Sequence, residues 1–163
     1  MIKEKLTSMG IDLPHAASPL GSYVPIVILG HAAFVSGQIP LDYTSEPAQL
    51  RFKGKVGKKV SIDDARKAAS ICVVNALGHL ELELGSLENI KRIVKVTGYV
   101  NCESSFTEHP RVLNGASDLL LDIFGDLGRH TRVAVGTNSL PLDSPVELDM
   151  IVEIREVGGD TSV

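Results

Sequence analysis

Alternation along two β-branched runs brings Arg132 and Glu147 forward as the first candidates for chemistry. Arg132 sits in Thr-Arg-Val-Ala-Val-Gly-Thr, and Glu147 opens the alternating run Glu147, Asp149, Ile151, Glu153, Arg155 opposite the apolar Val146, Leu148, Met150, Val152 and Ile154. In the first run Val133 and Val135 share one face, which leaves Arg132, Ala134 and Gly136 on the other. If the two runs pair, Arg132 and Glu147 project from the same side of the sheet. A guanidinium fork makes two charge-assisted bonds to a carboxylate, and a carboxylate can orient or deprotonate water. Parity gives the side only, because the register across the eight-residue connection 138–145 is open; a plain ion pair from Arg132 to Glu147, Asp149 or Glu153 satisfies it equally.

Other reactive types lack the spacing their chemistry requires. His15, His31, His79, His109 and His130 never fall in HxH or HExxH order, so they read as surface residues and no metal is expected. Cys72 and Cys102 are far apart with no CxxC, which fits a reducing compartment. Gly-Lys-Val-Gly-Lys-Lys at 54–59 has no GxxxxGK[ST] order and no preceding strand, and Ser104, Ser105 and Ser117 have no Gly-x-Ser-x-Gly context. With 16 Lys+Arg against 20 Asp+Glu the net charge is −4, aromatics are 4% and Trp is absent, so neither a phosphate-binding stripe nor a base-stacking platform is expected. No stretch approaches the ~18 apolar residues of a membrane span. The expectation is a cytoplasmic protein.

The elements that must position these residues are legible in outline. At 163 residues the chain suits a single domain, 1–163, with an N-terminal extension over about 1–20. Residues 2–9 suit a short helix ended by Gly10, and residues 11–22, with Pro14, Pro19 and Gly21, an extended surface segment. Runs 24–29 and 32–36 about Gly30-His31 read as a hairpin. Residues 38–60, polar and carrying Pro40, Pro47, Gly54 and Gly57, read as one long loop.

Ser61 caps a helix that runs to Gly85, with Ile62, Ala65, Ala68, Ala69, Cys72, Val73, Ala76 and Leu80 on its buried face. Residues 91–101 read as a strand with Val94, Val96 and Val100 on one face and Lys91, Ile93, Lys95, Thr97 and Tyr99 on the other. A second helix spans about 110–124, and strands 131–137 and 146–157 finish the chain. The order is β-β-α-β-α-β-β, an α+β fold whose two helices cover one face of a mixed sheet.

Ser36-Gly37-Gln38-Ile39-Pro40 after the hairpin, Asn114 in the second helix, Arg132-Val-Ala-Val, Leu140-Pro141 and Val146-Glu147-Leu148-Asp149 together resemble the YjgF/RidA family over about residues 23–157. The resemblance is to the longer branch labelled endoribonuclease L-PSP-like, with an added N-terminal segment and an enlarged loop near 41–59. It implies a chorismate-mutase-like fold and a homotrimer around a central barrel with clefts between subunits. It also implies hydrolysis of reactive 2-imino or 2-enamino acids to 2-oxo acids and ammonia, with no metal or organic cofactor.

By the same resemblance Arg132 holds the substrate carboxylate, Glu147 handles the attacking water, and Tyr23 borders the cleft from a neighbouring subunit. Gly37 would let backbone approach the ligand, or merely bend the chain. The Asn114 amide would bond a ligand or, as the preferred reading, a loop carbonyl. Many active members carry Cys where this chain has Ala134, and Gly-Pro-Tyr is here Gly-Ser-Tyr; the backbone at 134 remains available to water. Two other classes stay open: a small-carboxylate-binding or chaperone-like trimer without catalysis, and an endoribonuclease, ranked last on charge. Partners are thus a carboxylate-bearing imine and further copies of the chain, with neither membrane nor nucleic acid expected.

Overall fold

The protein is described by a computed structural model that covers residues 1–14 and 22–155. The expected extended segment falls largely outside those residues, as do His15 and the last two positions of the expected C-terminal strand.

Helix α1 (Ile2–Ser8) ends at Gly10, whose φ of +67° is the left-handed conformation that glycine adopts without strain. Strands β1 (Ile26–Leu29) and β2 (Ala32–Gln38) form the expected hairpin. The stretch expected to be a loop contains a small ribbon instead, β3 (Leu41–Asp42) paired with β4 (Gln49–Leu50). Its entry is fixed by Asn75, 3% exposed, whose Nδ2 donates to the carbonyls of Ile39 and Leu41, both at 3.1 Å. A buried amide on the next helix therefore supplies order that local composition did not announce.

Helix α2 (Ile62–Leu84) begins where Ser61 Oγ accepts from the Asp64 amide at 3.0 Å and stops at left-handed Gly85. The face read from spacing is buried from Ala65 to Leu80. Strand β5 (Ile90–Asn101) leads to α3 (His109–Phe124), then β6 (Thr131–Thr137) and β7 (Val146–Ile154). Gly115 lets α3 cross closely over α2: a Cβ there would overlap the Arg66 carbonyl, and Ser70 Oγ donates to the Gly115 carbonyl at 2.9 Å.

The five main strands order as β1-β2-β7-β5-β6, with β5 and β6 parallel and the other pairs antiparallel. Both longer helices pack on one face, giving the expected mixed α+β architecture. In β5 the ladder to β7 shifts register between Ile93 and Lys95, so Ile93 is buried in the core while Val94 is 39% exposed; strict alternation misassigned both because a bulge resets the period.

The condition under which Arg132 and Glu147 would share a face is not met: β6 and β7 do not pair, because the β5-α3-β6 crossover lays β6 outside β5 and leaves β7 on β5's other side. The sheet face away from the helices carries Val27, Phe34, Val133 and Val135, each at least 40% exposed, beside Lys95, Thr97, Tyr99 and Asp149. No helix among the described residues is long and apolar enough to cross a membrane.

Candidate functional site

The sequence-predicted residues fall into two groups. Tyr23, Gly37 and Glu147 line one cavity of about 550 Å³ beside the β2 bulge, whose wall also includes Tyr43, His79 and Leu142. Gly37 is required by a close approach, since a Cβ there would overlap the Glu147 carboxylate oxygen. Glu147 is half-buried and its side chain makes no hydrogen bond among the described residues. Burial, reinforced by the neighbouring Asp149 carboxylate, raises its pKa above the ordinary glutamate value, which makes it a better base than an exposed carboxylate.

His79 is 7% exposed, and burial lowers its pKa so that the neutral ring is favoured. Its assignment as a surface histidine is therefore overturned: position 79 lies one turn beyond Asn75 on the buried side of α2, where the cavity begins. Leu142 reaches the rim from a turn with φ of +57°, an uncommon conformation for a leucine. The turn is held by bonds from the Gly54 amide to the Asp143 carbonyl (2.7 Å) and from Asn101 Nδ2 to Asp143 Oδ1 (3.1 Å).

Arg132, Ala134 and Asn114 form the second group, on the helix-covered face at the outer edge of the sheet. Register sets Arg132 beside Val96 and Ala134 beside Gly98, both on the face that packs against α3. Arg132 Nη1 donates to Asn114 Oδ1 at 2.9 Å and to Ser117 Oγ at 3.0 Å. Asn114 thus holds a side chain and not the loop carbonyl preferred from sequence. The carboxylates weighed as Arg132's ion-pair partners are engaged elsewhere or remote: Glu153 pairs with Lys91 (2.6 Å), Asp149 accepts from Tyr99 (3.2 Å), and Glu147 is on the other side of the sheet.

Two members of the second group escaped the sequence reading. Ser117 was considered only as a nucleophile and His130 only as a metal ligand, yet they stand 3.0 Å apart and join Arg132 in one network. The spacing of Asn114 and Ser117, one turn apart on α3, carried the missed signal. Among the described residues no group of three His, Cys, Asp or Glu side chains is arranged to hold a metal ion. A wider groove of about 790 Å³, lined by Asp12, Tyr43, Arg51 and Asn75, contains none of the predicted residues, and its Arg51 is paired with Asp42 at 3.0 Å.

A family model described as "YjgF/chorismate mutase-like, putative endoribonuclease" matches residues 3–154. Protein TCP17 of Trypanosoma cruzi is 38% identical over 155 residues, 94% of each chain. The crystal structure of Atu1372 from Agrobacterium tumefaciens, a protein of unknown function, superposes with a TM-score of 0.86 at 40% identity over 94% of this chain and 92% of that one. The structure of E. coli TdcF with bound serine shares the fold, with a TM-score of 0.59 at 22% identity over 87% of this chain and 94% of that one.

Proposed function

The chain belongs to the YjgF/chorismate-mutase-like family, and from that premise we propose that it hydrolyses small 2-imino acids to 2-oxo acids and ammonia at a site shared between subunits of a homotrimer, in the cytoplasm. The carboxylate of the substrate is taken by Arg132 of one subunit, and Glu147 of the next supplies the base. Glu147 takes a proton from water as the water oxygen bonds to the carbon of the protonated imine, and passes that proton to the nitrogen of the resulting carbinolamine. Glu147 then takes the hydroxyl proton as the C=O bond forms and the C–N bond breaks, so ammonia leaves, picks up that proton as ammonium, and the 2-oxo acid remains. The backbone at Ala134 and Gly37, unencumbered by large side chains, flanks the reacting centre.

The feature that supports this reading most is Glu147 itself: a half-buried carboxylate with a raised pKa, unpartnered among the described residues and pressed against a glycine in a cavity. The TdcF structure with bound serine supports recognition of a small carboxylate by this fold, and a binding trimer without turnover is the competing reading. The endoribonuclease reading carried by the family's description is disfavoured by the net charge of −4.

The test is ammonia and 2-oxo acid release when imino acids are generated in place by an amino-acid oxidase. Acceleration over the spontaneous rate supports the reading, and binding of a 2-oxo acid without acceleration favours the binding trimer. Light scattering checks the assembly, with a mass three times the 17.4 kDa protomer expected.

A further inference from the structure

Arg132 sits at the end of a directed chain of hydrogen bonds. His130 Nδ1 is 2.6 Å from the Gly128 carbonyl, which can only accept, so Nδ1 carries a proton. In the neutral ring Nε2 then has a lone pair, and the Ser117 hydroxyl at 3.0 Å donates to it. With its hydrogen so committed, Ser117 Oγ faces Arg132 as an acceptor and takes a proton of Nη1, while Asn114 Oδ1 takes the other. Both Nη1 protons are spent, and Nε and Nη2 make no bond among the described residues. The chain has a fixed origin as well. A Cβ at Gly128 would overlap the Leu120 carbonyl, so the carbonyl that orients His130 belongs to a turn packed tightly on α3.

We propose that Ser117 and His130 are positioning residues that act through Arg132, fixing its guanidinium so that the Nε–Nη2 edge, and not the tip, meets the substrate carboxylate. The proposal rests on Arg132 being the carboxylate anchor of the reaction described above. A carboxylate bound to that edge makes two parallel bonds without displacing Asn114 or Ser117, so the anchor is organised before the ligand arrives. Serine at 117 serves because one hydroxyl can accept from Arg132 and donate to His130 at once; alanine does neither. His130 serves through its tautomer and not through charge, which separates this role from acid–base catalysis.

The tautomer is read directly on the wild-type protein by long-range proton–nitrogen NMR of the histidine ring. A proton on Nδ1 and a bare Nε2 is expected, and a proton on Nε2 of the neutral ring overturns the chain as drawn. Calorimetric titration with pyruvate and kinetics with the corresponding imine then test its consequence. Ser117→Ala should weaken pyruvate binding and lower kcat/KM by about tenfold, the worth of one bond to a charged group. Ser117→Thr should restore most of the loss because it keeps the hydroxyl. His130→Ala should fall in the same range, and the double variant Ser117→Ala/His130→Ala no lower than the worse single variant, since the two act in series.

Additive losses in the double variant, or pyruvate binding by Ser117→Ala equal to wild type, overturn the positioning role while leaving the proposed reaction intact. A wild-type protein that neither binds pyruvate nor accelerates imine hydrolysis overturns the reaction and the positioning role with it.

Discussion

Arg132 and Glu147 lie on opposite faces of one sheet. Arg132 is level with Val96 and Met150 on the side covered by helices, whereas Glu147 is level with Tyr99 and Val135 on the side left open. A ligand bridging them within one subunit would have to pass through β5. In the proposed trimer, subunits related by a rotation would bring the edge of one sheet to the open face of the next, a head-to-tail contact that closes into a ring. Co-assembled Arg132→Ala and Glu147→Gln protomers, each inactive alone, should therefore recover activity. With random mixing in equal amounts, about one quarter of the sites combine an intact arginine with an intact glutamate. No recovery after confirmed subunit exchange would refute the shared site.

Arg132→Lys should fold and assemble yet lose about 10²-fold in imine hydrolysis. Lysine keeps the charge but has no planar fork, and its three donors are one short of the four bonds to Asn114, Ser117 and a doubly held carboxylate. Misplacement of the C=N group by about 1 Å has a cost of this order. A lysine variant working at the wild-type rate would reduce Arg132 to a structural residue.

Glu147→Gln should lower kcat by about 10² or more, with pyruvate affinity nearly unchanged. It also carries a stability signature whose sign follows from the raised pKa. The folded state prefers the protonated acid, so wild-type stability is undiminished below the ordinary glutamate pKa and declines as pH rises through the elevated one. The glutamine variant escapes that decline. Its melting temperature should match the wild type near pH 4 and exceed it at neutral pH, and a difference that shrank toward neutrality would contradict the burial of this carboxylate.

Gly37→Ala places a methyl group where the Glu147 carboxylate now lies. The expected outcome is a folded protein with a displaced carboxylate, losing about tenfold or more in kcat, since position at the reacting centre is what suffers. A normal rate together with normal melting would show that the glycine only bends β2.

The cavity around Glu147 has apolar and aromatic walls, including Leu41, Tyr43, Pro47 and Leu142, and among the described residues no lysine or arginine. Imines derived from leucine or phenylalanine should be hydrolysed at least ~10-fold more efficiently than those from aspartate or glutamate, whose second carboxylate would meet Glu147 unpaired. Equal efficiency across the series would mean that the side chain does not enter this cavity. Competition kinetics with mixed imines gives the comparison directly.

Helices, hairpin and sheet composition were legible because each rests on a local signal: Ser61 and Gly85 bracket α2, and Gly30-His31 marks the hairpin turn. The face of Arg132 was not, because alternation gives parity within a strand and the neighbour of a strand is set by the crossover. The same limit hid Ile93, where one extra residue reverses the count. His79 and His130 were misread for a related reason. Their roles depend on what α2 and the 125–128 turn pack against, which no spacing rule records. Asn114 was identified as a polar residue of interest, but its partner came from a strand 18 residues further on.

Asn75 holds the carbonyls of Ile39 and Leu41 at the point where the chain leaves the sheet for the 41–48 excursion. Upstream of that clamp lies Gly37, at the Glu147 end of the cavity, and downstream lie Tyr43, Pro47 and Ala48 of its wall. In the proposed reaction, mutational drift beyond the clamp would therefore reshape what the protein selects without disturbing how it reacts. Directed evolution confined to residues 42–48 should yield altered preferences from folded libraries.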